Sequence, residues 1–172
     1  MPRVTFVKKA RKDYPESGIK AGDSYYWWKF RFGGKHKSKV RPKPSQLTQS
    51  EFLGTVYAIH EAMDEETVDN FTDSEAFDTY IEERASELRS LAEDTEEKRE
   101  NMPENLYYSQ TGEMLEERAN AVNEMADELD NIDTSIDIER SEYEDDDEYD
   151  EAVEERKQDI LDEIQGVEYT GE

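Results

Sequence analysis

Residues 25–41 read YYWWKFRFGGKHKSKVR, a run that gathers both tryptophans of the chain, two tyrosines, two phenylalanines and six Lys/Arg. Alternation decides its conformation. Side chains of a strand point to opposite faces in turn, so Tyr26, Trp28, Phe30 and Phe32 share one face and Tyr25, Trp27, Lys29 and Arg31 the other. The first set suits a core, the second solvent or a partner. Gly33-Gly34 supplies the positive φ angles of a tight primed turn, and Lys35 to Arg41 returns with Lys37, Lys39 and Arg41 on one side. Val4-Thr5-Phe6-Val7 adds a third antiparallel strand through a polar loop containing Gly18 and Gly22. An isolated hairpin is marginal in water, so the sheet is expected to rest on the first helix.

This basic module opens an otherwise acidic chain. Residues 1–45 hold 13 Lys/Arg and 3 Asp/Glu, a charge of +10, whereas residues 46–172 carry −35. Adaptation to high salt explains general acidity but not a lysine-rich module at one end. The change of sign falls near Pro42-Lys43-Pro44, where proline interrupts regular structure, and predicts two parts: 1–45 and 46–172. With 34% hydrophobic and 39% charged residues among 172, thin helical seams are expected rather than a thick sandwich or a doubly wound sheet.

The acidic part reads as helices. Thr48-Gln49-Ser50-Glu51 fits a capping box, followed by Phe52, Val56, Tyr57, His60 and Met63 on one face. Thr72-Asp73-Ser74-Glu75 offers a second box, after which Phe77, Tyr80, Ile81, Leu88 and Leu91 form a stripe ending before Met102-Pro103. A third helix begins near Thr111 with Met114, Leu115, Val122, Met125, Ala126 and Leu129. A fourth carries Tyr149, Val153, Ile160, Leu161 and Ile164 and stops near Gly166. The second and third helices are expected to form an antiparallel hairpin around residues 102–110. The fold class is therefore α+β: a small three-stranded antiparallel N-terminal sheet followed by an acidic bundle or hairpin of about four helices.

Nothing in the chain points to catalysis or to a cofactor. It has no P-loop, no G-x-S-x-G, no dinucleotide-binding glycine pattern and no cysteine, which removes disulfides, thiolate nucleophiles and thiolate metal sites. His60-Glu61-Ala62-Met63-Asp64 is a partial match to the zinc-binding H-E-x-x-H helix, but aspartate stands where the second histidine is needed. A histidine at a helix–helix contact is the simpler reading. Tyr143 to Glu151, YEDDDEYDE, lacks the glycine and spacing of a calcium loop and reads as a solvated linker or helix start. The opening MPRVTFVKKARKDYP lacks the apolar core of a secretory signal, and no segment approaches the roughly 18 apolar residues of a membrane span. A cytoplasmic protein, in a host cell if the setting is viral, is the expectation.

A ribbon with aromatics and cations side by side can lie on DNA or RNA, cations on phosphates and rings on bases. Tyr25, Trp27, Lys29, Arg31, Lys35, Lys37, Lys39 and Arg41 would carry that contact. Otherwise these rings form the core of a tiny sheet and the lysines keep it soluble. Rows of carboxylates on rigid helices can engage a basic surface of a host or viral protein, or mimic the phosphates of a duplex and occupy a DNA-binding or defence enzyme. Glu82, Glu83, Glu96, Glu97, Glu116, Glu117, Asp145, Asp146, Asp147 and Glu148 are the candidate partner-binding residues. The alternative is a solvated face or an oligomerisation arm. Basic head and acidic arm are also complementary to each other, within one molecule or between copies.

The segment Tyr26-Trp27-Trp28-Lys29-Phe30-Arg31-Phe32-Gly33-Gly34-Lys35 resembles the strand–turn–strand of the arm-type DNA-binding domains that precede tyrosine recombinases, although no recombinase catalytic domain follows. That resemblance covers about a quarter of the chain and implies a DNA-contacting hairpin. The whole chain, judged from GIKAGDSYYWWKFRFGGK, PSQLTQSEF and GEMLEERANAVNEMADELD, resembles small uncharacterised tailed-bacteriophage proteins. This implies a viral or prophage setting without an activity. The combined expectation is a non-enzymatic accessory protein that contacts nucleic acid, or a nucleic-acid-bound complex, through the hairpin and protein partners through the helices. A DNA mimic and a structural or assembly protein are the alternatives.

Overall fold

A computed structural model describes residues 1–171. The chain forms two compact units, Met1–Glu61 and Ala62–Glu172.

The first unit holds a three-stranded antiparallel sheet in the order β1-β2-β3, with β1 at Thr5–Val7, β2 at Tyr25–Lys29 and β3 at Lys35–Ser38. Register pairs Trp27 with Thr5 on one side and with Lys37 on the other. The strands are shorter than alternation suggests. β2 stops at Lys29, so Phe30 is half-buried and Phe32 is 78% exposed rather than part of a core face. Lys29 pairs with Lys35, which leaves five residues in the connection. Positive φ occurs only at Gly18 and Gly22 among the described residues, so Gly33-Gly34 does not make the expected primed turn. A longer loop needs no such twist, and this one is held from outside: the Gln49 amide donates to the Phe32 carbonyl at 3.1 Å.

Residues 8–24 are not a slack loop. Ala10 donates to the Asp23 carbonyl at 2.7 Å and Gly22 to the Ala10 carbonyl at 2.9 Å, extending the pairing of β1 and β2. Tyr14 and Ile19 form a further bridge. Gly18 (φ 62°) and Gly22 (φ 98°) take the left-handed angles that these reversals require. Ala10 and Ile19 thereby bury Tyr25 in a small cluster flanked by Val7, Tyr14 and Trp27.

The first helix, α1 (Glu51–Asp64), buries Phe52, Val56, Ile59 and Met63. Its start differs from the expected box. Ser50 Oγ accepts the Leu53 N–H at 3.3 Å, and Thr48 Oγ1 is taken by the Ser50 N–H at 3.1 Å. The compact unit runs on to Glu61 instead of ending at residue 45. Two contacts explain this: the Glu61 carboxylate accepts from both the N–H (2.8 Å) and the hydroxyl (2.7 Å) of Ser45, and Pro42 is buried. The sign of the charge changes near residue 45, but the packing does not.

In the second unit α2 (Ser74–Glu100) and α4 (Gln110–Asp130) run antiparallel, joined through the one-turn α3 (Glu104–Tyr107). Phe77, Ile81, Ala85, Leu88 and Ala92 of α2 are buried, as are Ala119, Val122, Met125, Ala126 and Leu129 of α4. Arg89 donates to Asp127 (2.8 Å) and Asp130 (2.6 Å), and Arg99 to Glu116 (2.7 Å), fixing the antiparallel register at both ends. Asp73 caps α2 by accepting the Ala76 N–H at 3.0 Å, in place of the expected threonine box. Then α5 (Asp146–Gly166) buries Ile160, Leu161 and Ile164, packs against Val68–Asn70 and donates from Gln165 to the Met63 and Glu66 carbonyls. No helix among the described residues is long and apolar enough to cross a membrane.

Candidate nucleic-acid interface

Register brings Trp27, Lys29, Lys35 and Lys37 to one face of the β2–β3 hairpin. The cations there already sit on rings. Lys35 Nζ lies 3.5 Å from the Trp27 ring centroid, and Lys37 Nζ lies 4.2 Å from that of Tyr14, which Lys12 also approaches at 5.6 Å. Such contacts orient long lysine side chains and keep their charge in solvent.

The eight expected contact residues therefore divide. Tyr25 is buried beneath residues 10–19, its ring 5.6 Å from Tyr14, and burial pushes its phenol above the ordinary range. Trp27 and Lys37 are half-buried. Lys29, Arg31, Lys35, Lys39 and Arg41 are exposed, but Lys39 is held 2.8 Å from Asp23, whose carboxyl it draws below the usual range. Arg41 lies beyond the end of β3. The cationic surface also includes residues that strand alternation does not select: Lys8, Lys9, Arg11, Lys12 and Lys20 are all exposed on the connection that packs over Tyr25. The cluster KKARK at 8–12 was the available signal.

On the opposite face, Trp28 is buried and stacks on His36 at 5.4 Å, with Phe30 edge-on to the same imidazole at 5.4 Å. Past the end of β2 a groove of about 480 Å³ opens beside the start of α1. Phe30, Leu47, Leu53 and Tyr57 line it, together with the exposed Lys29 and Arg31. Sequence reasoning placed Phe30 in a core and Tyr57 on a packing stripe, so the juxtaposition was not foreseen.

The acidic candidates are all exposed, yet they differ in their neighbours. Glu116 is paired with Arg99, whose guanidinium lies 4.5 Å from the Tyr107 ring. Asp145 caps α5 by accepting the Glu148 N–H at 2.8 Å, and Asp146 accepts from Arg140 Nε at 2.8 Å. Glu83 has Arg84 at 3.7 Å. Glu82, Glu96, Glu97, Glu117, Asp147 and Glu148 lie along α2, α4 and α5 without an ion-pair partner among the described residues.

No family model, curated protein or solved structure matches this chain. The chemistry must therefore be read from the side chains themselves. Among the described residues no three His, Asp or Glu side chains converge to hold a metal ion, and Glu61, beside His60, is engaged by Ser45. What the first unit offers is charge: exposed ammonium and guanidinium groups on and around a small sheet, of the kind that contact phosphates.

Proposed function

We propose that this protein is a non-enzymatic accessory factor whose basic unit contacts nucleic acid, or a nucleic-acid-bound complex, and whose acidic helices engage a protein partner. The observation that carries the reading is the cationic row Lys29, Arg31 and Lys35 at the end of the hairpin, all exposed and without a carboxylate in ion-pair contact among the described residues. Cations on phosphates give sequence-tolerant affinity that falls steeply with salt. The test is fluorescence anisotropy of labelled duplex DNA, single-stranded DNA and RNA with the full-length protein across a salt series. Replacing Lys29, Arg31 and Lys35 together by alanine should weaken binding to all sequences and reduce the salt slope by about three. Binding that survives this change at full strength rules the row out.

A second reading rests on the exposed carboxylates Glu82, Glu96, Glu97 and Glu117 along α2 and α4. These would present a phosphate-like row to the DNA site of an enzyme. Reversing those four charges, and not the lysine row, should then relieve inhibition of a DNA-binding enzyme.

A further inference from the structure

The groove beside Lys29 and Arg31 has a floor that phosphate contact alone does not need. Phe30 and Tyr57 contribute two half-buried rings and Leu47 and Leu53 apolar surface, and the two cations line it too, as do Met1 and Pro2 of the chain start. Its volume of about 480 Å³ falls within the range of ordinary small-ligand pockets. Polar groups are present at its edge: the Gln49 amide donates to the Phe32 carbonyl and leaves its own carbonyl oxygen open, and Thr48 keeps a hydroxyl proton after accepting the Ser50 N–H. Rings, cations and a donor with an acceptor in one lining match the parts of one nucleotide: a flat base, its phosphates and its hydrogen-bonding edge.

We propose that the groove seats an unstacked base of a single-stranded nucleic acid, with Lys29 and Arg31 on the flanking phosphates. The proposal rests on the reading of the first unit as a nucleic-acid contact and specifies the form of ligand. The hairpin face around Trp27 is poorly placed to do this, because Lys35 already covers that ring and Tyr25 is buried. Bases in a duplex present only their edges in the grooves, so a ring floor is reached only by a base that has left its stack. An acidic peptide with an aromatic anchor would satisfy the same cations, but it has less use for two rings lying next to paired donor and acceptor groups.

The test uses full-length protein and four labelled probes: a mixed-sequence single-stranded DNA, a fully abasic strand of the same length, the duplex of the first, and an acidic tyrosine-containing peptide. The intact single strand should bind at least about tenfold tighter than the abasic strand and the duplex, since stacking of even one base contributes that much. The ring-removing change Tyr57→Leu should erase this preference while leaving affinity for the abasic strand unaltered. Equal affinity for all three nucleic acids, with a steep salt slope, overturns the base seat and leaves the phosphate-contact reading standing. No binding to any nucleic acid overturns both. Peptide binding that is lost in Arg31→Ala, without nucleic-acid binding, assigns the groove to protein and likewise overturns the proposal.

Discussion

Lys35 reaches across the hairpin to place its ammonium 3.5 Å from the centre of the Trp27 ring, although the residue opposite Lys35 in register is Lys29. The diagonal contact removes one cation from a pair of like charges and sets it against the electron-rich face of an indole. Lys35→Ala should therefore cost about 0.5–1 kcal/mol, the range for an exposed cation–π contact. Urea unfolding followed by tryptophan fluorescence measures it. An unchanged midpoint would mean that Lys35 leaves the ring in solution and is already free for a phosphate.

Gly112 gives a prediction whose sign runs against helix propensity. Alanine in place of glycine inside a helix ordinarily stabilises by roughly 1 kcal/mol. Here a Cβ at position 112 would overlap the Tyr107 carbonyl oxygen and meet that of Leu106 at 3.0 Å, so α3 would have to move away from the first turn of α4. Gly112→Ala should lower the thermal midpoint, and it should disturb the Arg99–Tyr107 contact that depends on α3. A rise in the midpoint would show that this turn yields easily.

The helices were legible because their apolar residues recur with one period and face one seam. Phe77, Ile81 and Leu88 in α2, and Val122, Met125 and Leu129 in α4, were selected by spacing and are buried. Ala85, Ala92 and Ala119 complete that seam and were not selected, because alanine carries little periodic signal. The sheet was harder to read. Alternation assumes one buried face, whereas β2 buries Tyr25 on one side, against Ala10 and Ile19, and Trp28 on the other. Ile19, a lone aliphatic residue between two glycines, was the clue that the connection folds back over Tyr25. The groove was not legible at all: Phe30 and Tyr57 are 27 positions apart, and only the packing of α1 beside the end of β2 brings them to one wall.

Asp23 should make the first unit acid-sensitive in a defined window. Its carboxyl is lowered chiefly by the hydrogen bond from Lys39 and then by the Lys20 N–H. A carboxyl whose folded pKa is depressed adds stability above its unfolded value of 3.8, and this is lost as pH falls through the folded value. Asp23→Asn should thus flatten the stability profile below about pH 4 while leaving its shape near neutrality unchanged. Denaturant midpoints taken across that range, wild type against variant, give the comparison; parallel acid limbs would assign the sensitivity to other carboxylates.

Tyr80 should govern the alkaline side. Burial first, and then the negative charge of Glu66, pushes its phenol up to about 12 from 10.0. Its hydroxyl is buried without a hydrogen-bond partner among the described residues, while its ring packs edge-on to Phe71 at 5.4 Å. Because the folded value is raised, the contribution is complete below pH 10.0, where both states keep the proton, and is lost as pH rises towards 12, where the unfolded chain ionises first. Tyr80→Phe keeps the ring contact and removes an unsatisfied donor, so stability at pH 7 should hold within about 0.5 kcal/mol or rise. The same variant should lose less stability than wild type between pH 10 and 12, with one slow-ionising phenol missing from the ultraviolet titration. A loss of more than about 1 kcal/mol at neutral pH would instead mean that the hydroxyl is satisfied in solution, since removing a made hydrogen bond has a cost and removing an unmade one does not.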